Sequence, residues 1–471
     1  MVAFLVVVAA ALRFYHLEGQ LWLDEVSALR GYREPFLKTL TTFPIFFPNP
    51  LYELMAHAGI LLFGENAWAI RFPAALFGVA GVIAFYILAQ RCLGRSSGIL
   101  AGFLFAVSFH HVFFSQDARG YTAYLFFAIY ATDRLLALLD HMSWRTGAAY
   151  IALLALGTYA HPFGVFVLAG HMLVALVVAW TRGRRGVSGT PAVRQIVALA
   201  VLSGLAITTL YASLIPDAVR YALTEARTVG HGPRLTSLLP ELLDGLKAGL
   251  GGWPGLIIGG LLGGVGTLDL FRRRPVAVAL LGAPIVVSAV TVIVLGAGVH
   301  PRYFLLALPL GYLVATHAVM SIVGWLTQSA RRLSPQRAVT LEVGVGLALV
   351  VISCVPLKRY YQVPKQDYRG AIRELRQLAG PGDRVVALAH AGFAMKNFYD
   401  PDFTVAADLD ELQPIEAEGH RVWLMVTLEH ELASSAPESF AHLRRNYQQV
   451  KLLPATIGDG GIRIYFREAT R

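Results

Sequence analysis

Residues 72–90 have the sequence FPAALFGVAGVIAFYILAQ, an apolar run without a single charged side chain. As an α-helix rising about 1.5 Å per residue, a run of this length crosses the roughly 30 Å hydrocarbon layer of a bilayer. The rest of the chain repeats the pattern: 56% of its 471 residues are apolar, 15% are charged and the mean hydropathy is +0.56. Soluble proteins average about 25% charged residues, so the composition predicts a many-spanning membrane protein.

Eleven apolar runs are candidates for membrane spans, and the first and fifth are short. Their approximate bounds are 2–16, 72–90, 97–114, 121–139, 147–160, 163–180, 194–214, 254–271, 276–298, 303–325 and 338–357. The expected fold is therefore an all-α polytopic membrane domain over residues 1–360.

Arginines give this domain an orientation. Alternate connections carry fourteen of them, whereas the short connections on the opposite face carry only Arg119 and Arg302. The positive-inside rule places the arginine-rich connections in the cytoplasm. The net charge of +10 then follows from this rule and from attraction to anionic lipid, and it does not require a nucleic-acid partner.

The composition changes at about Gln366. Residues 367–378 have the apolar spacing of a helix, and strand-like runs follow at 384–389, 403–406, 421–428, 449–453 and 462–466, with helical patterns at 410–418 and 434–446. These features predict a small α/β domain over 366–471, which an odd number of spans places outside the cytoplasm. It lacks a phosphate-binding loop and a metal-spaced Cys/His set, so a cap or docking domain without chemistry of its own is one interpretation.

The polar residues are concentrated on the predicted outer face. Its first loop, about 15–71, is too long for a simple connector and includes the acidic pair Asp24-Glu25. Residues 51–63 are apolar but too short to span, which favours a helix in the membrane interface, and leucines at helical spacing over 235–246 indicate another. The remaining polar connections are 115–121, 159–162 and 300–303.

Two arginines and nearby carboxylates suit transfer of a group from a lipid phosphate. A guanidinium binds a phosphate through its fork of donors, and a carboxylate can act as general base toward a hydroxyl. Each residue alone also has a plain interpretation: a solvated acidic loop, a helix cap at Asp117, arginines that reach headgroups, or a helix break at His161-Pro162. Their concentration on one face favours the functional interpretation.

Several short motifs occur in a fixed order along the chain: Leu23-Asp24-Glu25, Asn49-Pro-Leu-Tyr52, Phe63-Gly-Glu65, Arg71-Phe-Pro73, Ser115-Gln-Asp-Ala-Arg119, His161-Pro162 and Pro301-Arg-Tyr303. In this order they resemble the GT-C glycosyltransferases that use polyprenyl-phosphate sugars. The likeness is to the bacterial protein-mannosyltransferase-like and aminoarabinose-transferase-like group, which includes the rhizobial lipopolysaccharide galacturonosyltransferases. It covers residues 1–360, and the tail beginning at Asp367 is similar to tails of bacterial members.

The resemblance implies roles for individual residues. Asp24 matches the aspartate proposed as catalytic base, and Glu25 is its neighbour in the motif. Asp117 matches a second acidic position counted with the catalytic residues. Arg119 and Arg302 are then candidates to bind the donor phosphate. Further expected contacts are Tyr303 for that phosphate, and Tyr52, His161 and His300 for substrate.

This sequence also departs from its relatives. It has Pro48-Asn-Pro-Leu-Tyr52 where they commonly carry His-Pro-Pro-Leu-Tyr, and Asp117 where glutamate is common. Some relatives bind a divalent metal near the first-loop acids, and here Glu25, Asp117 and His161 are the candidate ligands. No cofactor is certain, since a donor with a single phosphate does not require a metal.

The resemblance implies transfer of a sugar from a polyprenyl-phosphate carrier to a hydroxyl of a lipid, glycan or protein, with inversion, at the outer face of the bacterial inner membrane. A transporter or flippase of lipid-linked sugars is the alternative. Such a protein typically has ionisable groups near the bilayer midplane and repeated halves, and neither pattern is evident here. A non-catalytic envelope-assembly subunit that binds through residues 366–471 is a third hypothesis.

Overall fold

The computed structural model describes residues 1–43, 48–224, 235–294, 300–329, 334–456 and 458–469. The chain divides into two compact units. Residues 1–17 and 34–357 form the first, here the membrane unit, and residues 18–33 and 358–471 form the second, here the C-terminal unit. The sequence placed residues 15–71 together in the membrane domain, so the presence of 18–33 in the C-terminal unit differs from that expectation.

Most of the chain is helical. In order the helices are α1 (Val2–Phe14), α2 (Leu23–Tyr32), α3 (Phe36–Thr41), α4 (Pro50–Phe63), α5 (Ala67–Leu93), α6 (Arg95–Ala106), α7 (Phe109–Ser115), α8 (Tyr121–Asp140), α9 (Trp144–Ala160), α10 (Gly164–Arg184), α11 (Val193–Tyr211), α12 (Ile215–Thr224), α13 (Leu235–Leu250), α14 (Trp253–Arg273), α15 (Pro275–Val294), α16 (Ala307–Ser329), α17 (Pro335–Ser353), α18 (Val355–Gln362), α19 (Tyr368–Leu378), α20 (His390–Ala394), α21 (Leu409–Ala417), α22 (Glu429–Ser435) and α23 (Pro437–Asn446). Short 3₁₀ and π turns cover Pro301–Phe304 and Met395–Tyr399.

All eleven predicted spans coincide with helices. Within the described ranges, eight helices are long and apolar enough to cross a membrane, and the bent pair α6–α7 would make a ninth. The two remaining runs, the first and the fifth, correspond to the shorter helices α1 with 13 residues and α9 with 17. Both runs were already short in the sequence. The last residues of the run 276–298 lie outside the described part of the chain.

The run 97–114 is not one continuous helix, contrary to expectation. It bends by 57° between α6 and α7, where the Ser108 hydroxyl caps α7 by accepting a hydrogen bond from His111 N at 3.3 Å. The Ala106 carbonyl at the break accepts a 3.0 Å bond from the buried guanidinium of Arg13. A serine cap and an arginine donor thus satisfy backbone groups that lose their helical partners.

The first predicted outer loop contains α2, α3 and α4. The amphipathic segment proposed at 51–63 is α4, and the leucine-rich segment at 235–246 begins α13. Helix α5 already starts at Ala67, so Arg71 lies inside a helix, where its guanidinium donates to Leu17 O at 3.0 Å.

The C-terminal unit is a five-stranded mixed sheet with helices on both faces. The strands are β1 (Arg384–Leu388), β2 (Val405–Ala406), β3 (Val422–Val426), β4 (Gln448–Leu453) and β5 (Ile462–Arg467), in the order β2-β1-β3-β5-β4. Strand β1 pairs in parallel with β2 and β3, while β5 is antiparallel to β3 and β4. One face packs on α19 and α20, and the other packs on α21 to α23, so the central strand β3 is buried along its whole length.

The predicted α/β pattern of residues 366–471 is confirmed, but the helices differ in part. The segment expected as one helix over 434–446 contains the end of α22 and the whole of α23, which separate at Ala436 before Pro437, while α20 and most of α22 were not predicted. A residue that precedes proline is disfavoured in the α conformation, whereas proline itself fits the first turn of the next helix.

Close packing in the membrane unit depends on small residues. A Cβ at Gly170 of α10 would lie 2.4 Å from Pro284 N and 2.7 Å from its Cα, both backbone atoms of α15. Small residues allow helix backbones this close an approach where lipid removes the hydrophobic driving force between helices.

We expect Gly170→Ala to lower the stability of the protein, because α10 and α15 must separate to admit the methyl group. Overpacking of this kind costs about 1–3 kcal/mol. Gly204→Ala in α11 is the matched control, since a Cβ there has no atom within 4 Å. Thermal unfolding in detergent measures both variants, and equal melting temperatures would contradict the packing.

Candidate active site

The acidic pair begins helix α2. Trp22 is the N-cap residue, and Asp24 and Glu25 lie in the first turn. The Glu25 carboxylate turns back and accepts a hydrogen bond from Trp22 N at 3.3 Å, which satisfies a backbone donor at the helix start. Glu25 is fully buried while Asp24 is half-buried, so the two neighbouring carboxylates have different surroundings.

A lysine of the same unit faces the buried carboxylate. Lys365 Nζ lies 3.9 Å from Glu25 Oε1 and 5.7 Å from the centre of the Trp22 ring. The Lys365 side chain is itself buried, and its charge compensates the carboxylate that water no longer solvates. Glu25 therefore stabilises the start of α2, and Asp24 is the more accessible acid.

The second predicted site element is the connection between α7 and α8 in the membrane unit. Asp117 is fully buried there, and its carbonyl accepts a hydrogen bond from Arg119 N at 2.7 Å. Gln116 fixes the connection to the end of α1, because its side-chain amide donates to Arg13 O at 3.0 Å and to Tyr15 O at 2.6 Å.

This connection touches the one between α9 and α10. A Cβ at Gly120 would lie 2.1 Å from Ala160 O and 3.3 Å from the Asn49 side-chain oxygen. Only glycine allows this approach, so the backbone places Arg119 near His161, which follows Ala160 directly.

His161 lies among aromatic rings from three connections. Its ring centre is 5.3 Å from that of Tyr121 and 5.1 Å from that of Phe163. Phe163 in turn contacts Tyr303 at 4.7 Å, and Tyr303 contacts His300 at 5.5 Å. Through Phe163 the structure thus brings His161 together with Tyr303 and His300, which the sequence placed in a different connection.

Burial and two nearby arginines keep His161 neutral. Burial is the main cause that lowers the pKa of His161 to about 3, and the positive charges of Arg119 and Arg302 contribute to that value. The imidazole is therefore neutral near pH 7, and its Nδ1 accepts a 3.3 Å hydrogen bond from Phe163 N. With Nδ1 as acceptor, the proton of the neutral ring is on Nε2.

Sequence reasoning missed Glu53. It lies in the first turn of α4, where its carboxylate accepts a hydrogen bond from Asn49 N at 3.0 Å. Burial raises the pKa of Glu53, and the Asn49 bond and the charge of Arg119 only partly oppose that rise. The signal was available, because Glu53 directly follows the motif Asn49-Pro-Leu-Tyr52 and is the only acid in an apolar helix.

Tyr52, predicted to contact substrate, is buried and donates its hydroxyl proton to Ile70 O at 2.7 Å, which links α4 to α5.

For the predicted metal, the described residues contain no group of three His, Cys, Asp or Glu side chains that could hold an ion. Glu25 belongs to the C-terminal unit, while Asp117 and His161 belong to the membrane unit.

Comparison with known proteins identifies the fold. The family model for dolichyl-phosphate-mannose-protein mannosyltransferase matches residues 47–226. The solved structure of ArnT from Cupriavidus metallidurans bound to undecaprenyl phosphate is similar over 99% of this chain and 97% of that one, with 13% identity and a TM-score of 0.50. The oligosaccharyltransferase of Archaeoglobus fulgidus in complex with zinc and sulfate is similar over 95% of this chain and 71% of that one, with 13% identity and a TM-score of 0.53.

Both structures have the GT-C fold, and so does this chain, as its motif order predicts. The family model matches less than half of the chain and the solved structures are 13% identical to it, so these comparisons show the fold and not the activity. A sequence comparison with curated proteins gives no significant match.

The pKa of His161 predicts a pH dependence of stability. Because the folded pKa of about 3 lies below the ordinary value of 6.5, the unfolded chain binds more protons between these values. The contribution of the neutral ring to the free energy of unfolding is complete above about pH 6.5. It falls as the pH drops toward 3, by at most about 1.4 kcal/mol per pH unit.

We expect His161→Asn to remove this contribution, since asparagine keeps an acceptor for Phe163 N but does not titrate. The melting temperature of the unsubstituted protein should therefore fall more steeply than that of the variant between pH 7 and pH 4. Parallel curves would contradict the assignment.

Proposed function

We propose that the protein transfers a sugar from a polyprenyl-phosphate carrier to a hydroxyl acceptor of the cell envelope. The observation that carries the proposal is the cluster around His161, whose ring contacts Phe163 and through it Tyr303, and on which the charges of Arg119 and Arg302 both act. Two guanidiniums from separate connections suit a phosphate, and a neutral imidazole adds a hydrogen-bond donor without a further charge.

The donor would bind with its phosphate at Arg119 and Arg302. As the bond between the anomeric carbon and the phosphate oxygen breaks, the electron pair leaves with the polyprenyl phosphate, and both arginines stabilise the negative charge that develops. The Tyr303 hydroxyl is a further donor, and His161 and His300 would contact the sugar or the acceptor.

The acceptor hydroxyl would attack the anomeric carbon from the side opposite the phosphate, which inverts its configuration. Asp24 takes the hydroxyl proton as general base. Asp24 suits this role because it is half-buried, whereas Glu25 is fully buried and bonded to the start of its own helix. Asp117 would supply a second carboxylate to the reaction.

The ArnT structure with undecaprenyl phosphate supports a polyprenyl carrier as the donor. The reaction would take place at the outer face of a bacterial inner membrane, a location supported by the arginine distribution. A divalent metal stays a prediction, supported by the zinc in the archaeal oligosaccharyltransferase, and addition of a chelator to the transfer reaction tests it.

The direct test incubates the purified protein with a panel of polyprenyl-phosphate sugars and envelope extracts, with mass spectrometry of the products. A product heavier by one sugar supports the proposal. Movement of the lipid-linked sugar between the leaflets of a vesicle, without transfer, would instead indicate a flippase.

Asp24→Asn should lower the transfer rate by about 10²–10⁴, since that is the contribution of a general base. The control is Glu18→Gln, an exposed acid of the same segment. Both variants should be produced at the same level. Transfer by Asp24→Asn at the full rate would exclude this residue as the base.

Arg302→Ala should lower the transfer rate by about 10²–10³, because a donor aimed at developing charge is removed. Arg302→Lys keeps the charge but loses the fork of donors, so we expect a smaller loss. Arg95→Ala changes an exposed arginine at the start of α6 in the membrane unit and is the matched control. A product yield from Arg302→Ala equal to that of this control would remove Arg302 from the site.

A further inference from the structure

Residues before Asp24 form hydrogen bonds with later residues of the C-terminal unit, to which both belong. The Gln20 amide nitrogen donates to Asp367 Oδ1 at 2.7 Å, and the Gln20 oxygen accepts from Arg369 N at 3.0 Å. The Tyr399 hydroxyl donates to Leu21 O. Segment 18–33 is thus fixed to a domain more than 340 residues later in the chain.

Gln366 bonds the residue directly before Asp24. Its side-chain oxygen accepts a hydrogen bond from Leu23 N at 2.8 Å, and its amide nitrogen donates to the Thr427 hydroxyl at 3.1 Å. The Thr427 hydroxyl in turn donates to Gly460 O at 3.3 Å. Gln366 is 0% exposed and Thr427 is 1% exposed, so water does not compete for these bonds.

The orientation of the Gln366 amide follows from its partners. Leu23 N can only donate, so the side-chain oxygen must face it, and the nitrogen must then face Thr427. Leu23 is the first residue of α2, whose backbone donors lack helical partners. Gln366 therefore satisfies the donor directly before Asp24 and connects it to the end of β3.

Apolar packing reinforces this connection. The Leu23 side chain lies in the core cluster of the sheet with Tyr368 and Ala371, and the Tyr368 ring stacks on Tyr399 with centres 4.8 Å apart. Burial raises the pKa of Tyr368 well above its ordinary value, and the charges of Tyr399 and Asp24 add to that rise. The carboxylate of Asp24 therefore lies near this buried stack.

We infer that Gln366 is a positioning residue for Asp24, and that the C-terminal α/β unit holds the catalytic carboxylate in place rather than serving only as a cap. The inference rests on the proposed role of Asp24 as general base. The bonds of Gln366 fix the start of α2, and a displacement of a catalytic group by about 1 Å can lower a rate by about 10²-fold.

The test compares Gln366→Met, which keeps the length of the side chain and removes both hydrogen bonds, with Gln413→Met, an exposed glutamine of the same unit. We expect Gln366→Met to lower kcat by about tenfold to a hundredfold, with the KM for the donor changed little. Hydrogen exchange of residues 21–32, measured by mass spectrometry on the full chain, should accelerate in Gln366→Met and not in the control.

A second pair of variants tests the route through Gln366. Thr427→Val removes the hydroxyl that orients the Gln366 amide, so kcat should fall, whereas Thr427→Ser keeps the hydroxyl and should retain the rate. Because both changes act on one chain of hydrogen bonds, Gln366→Met combined with Thr427→Val should cost less than the product of the two single effects.

The outcomes separate the inference from the proposed function. An unchanged kcat in Gln366→Met, with Asp24→Asn inactive, would overturn the inference and leave the function intact. A lower melting temperature with normal kcat per folded molecule would also overturn it, since the role would then be structural only. If the unsubstituted protein transfers no sugar, the proposed function is wrong. If hydrogen exchange of residues 21–32 is also unchanged in Gln366→Met, then Gln366 does not stabilise α2 either.

Discussion

The hydrocarbon layer offers no water to backbone groups, so each amide and carbonyl inside it needs a partner within the protein. This constraint accounts for the helices of the membrane unit and for the position of its candidate site residues. Asp117, Arg119, His161 and Arg302 all lie where a helix ends or a connection begins. The break between α6 and α7 obeys the same rule, because Ser108 and Arg13 bond the backbone groups around it. The polar connections can approach each other closely only because Gly120 has no side chain to separate them.

Much of this architecture could be predicted from the sequence. The length and hydropathy of the apolar runs predict the helices of the membrane unit, and alternation with turn residues predicts the strands of the C-terminal unit. The bend at 107–108 was missed because it depends on Arg13, which lies 93 residues from the carbonyl it bonds. The helix predicted over 434–446 also ran across the boundary between α22 and α23, which Pro437 marks. These differences come from long-range hydrogen bonds and local proline geometry, which a hydropathy pattern does not contain.

The candidate site was predictable in its residue types and less so in its arrangement. Motif order selected His161, Arg119 and Arg302, whose mutual influence appears in the low pKa of the histidine. Glu53 was missed because α4 was identified by its apolar residues, among which Glu53 is the one acidic side chain. The different environments of Asp24 and Glu25 could not be deduced from their adjacent positions in the sequence, because they depend on contacts of Glu25 with Trp22 N and Lys365. The assignment of α2 to the C-terminal unit was likewise invisible, because partners such as Gln366 lie 343 residues away.

That separation in sequence has a consequence for biosynthesis. A chain is made from its N-terminus, and early segments fold before later ones exist. Helix α2 leaves the ribosome before the acceptor for Leu23 N exists, because that acceptor belongs to Gln366, 343 residues later. Gln366 is itself supported by Thr427 and Gly460, which are made later still. A chain interrupted before Gln366 would therefore hold the start of α2 without this hydrogen bond, so the final geometry of α2 depends on completed synthesis of the C-terminal unit.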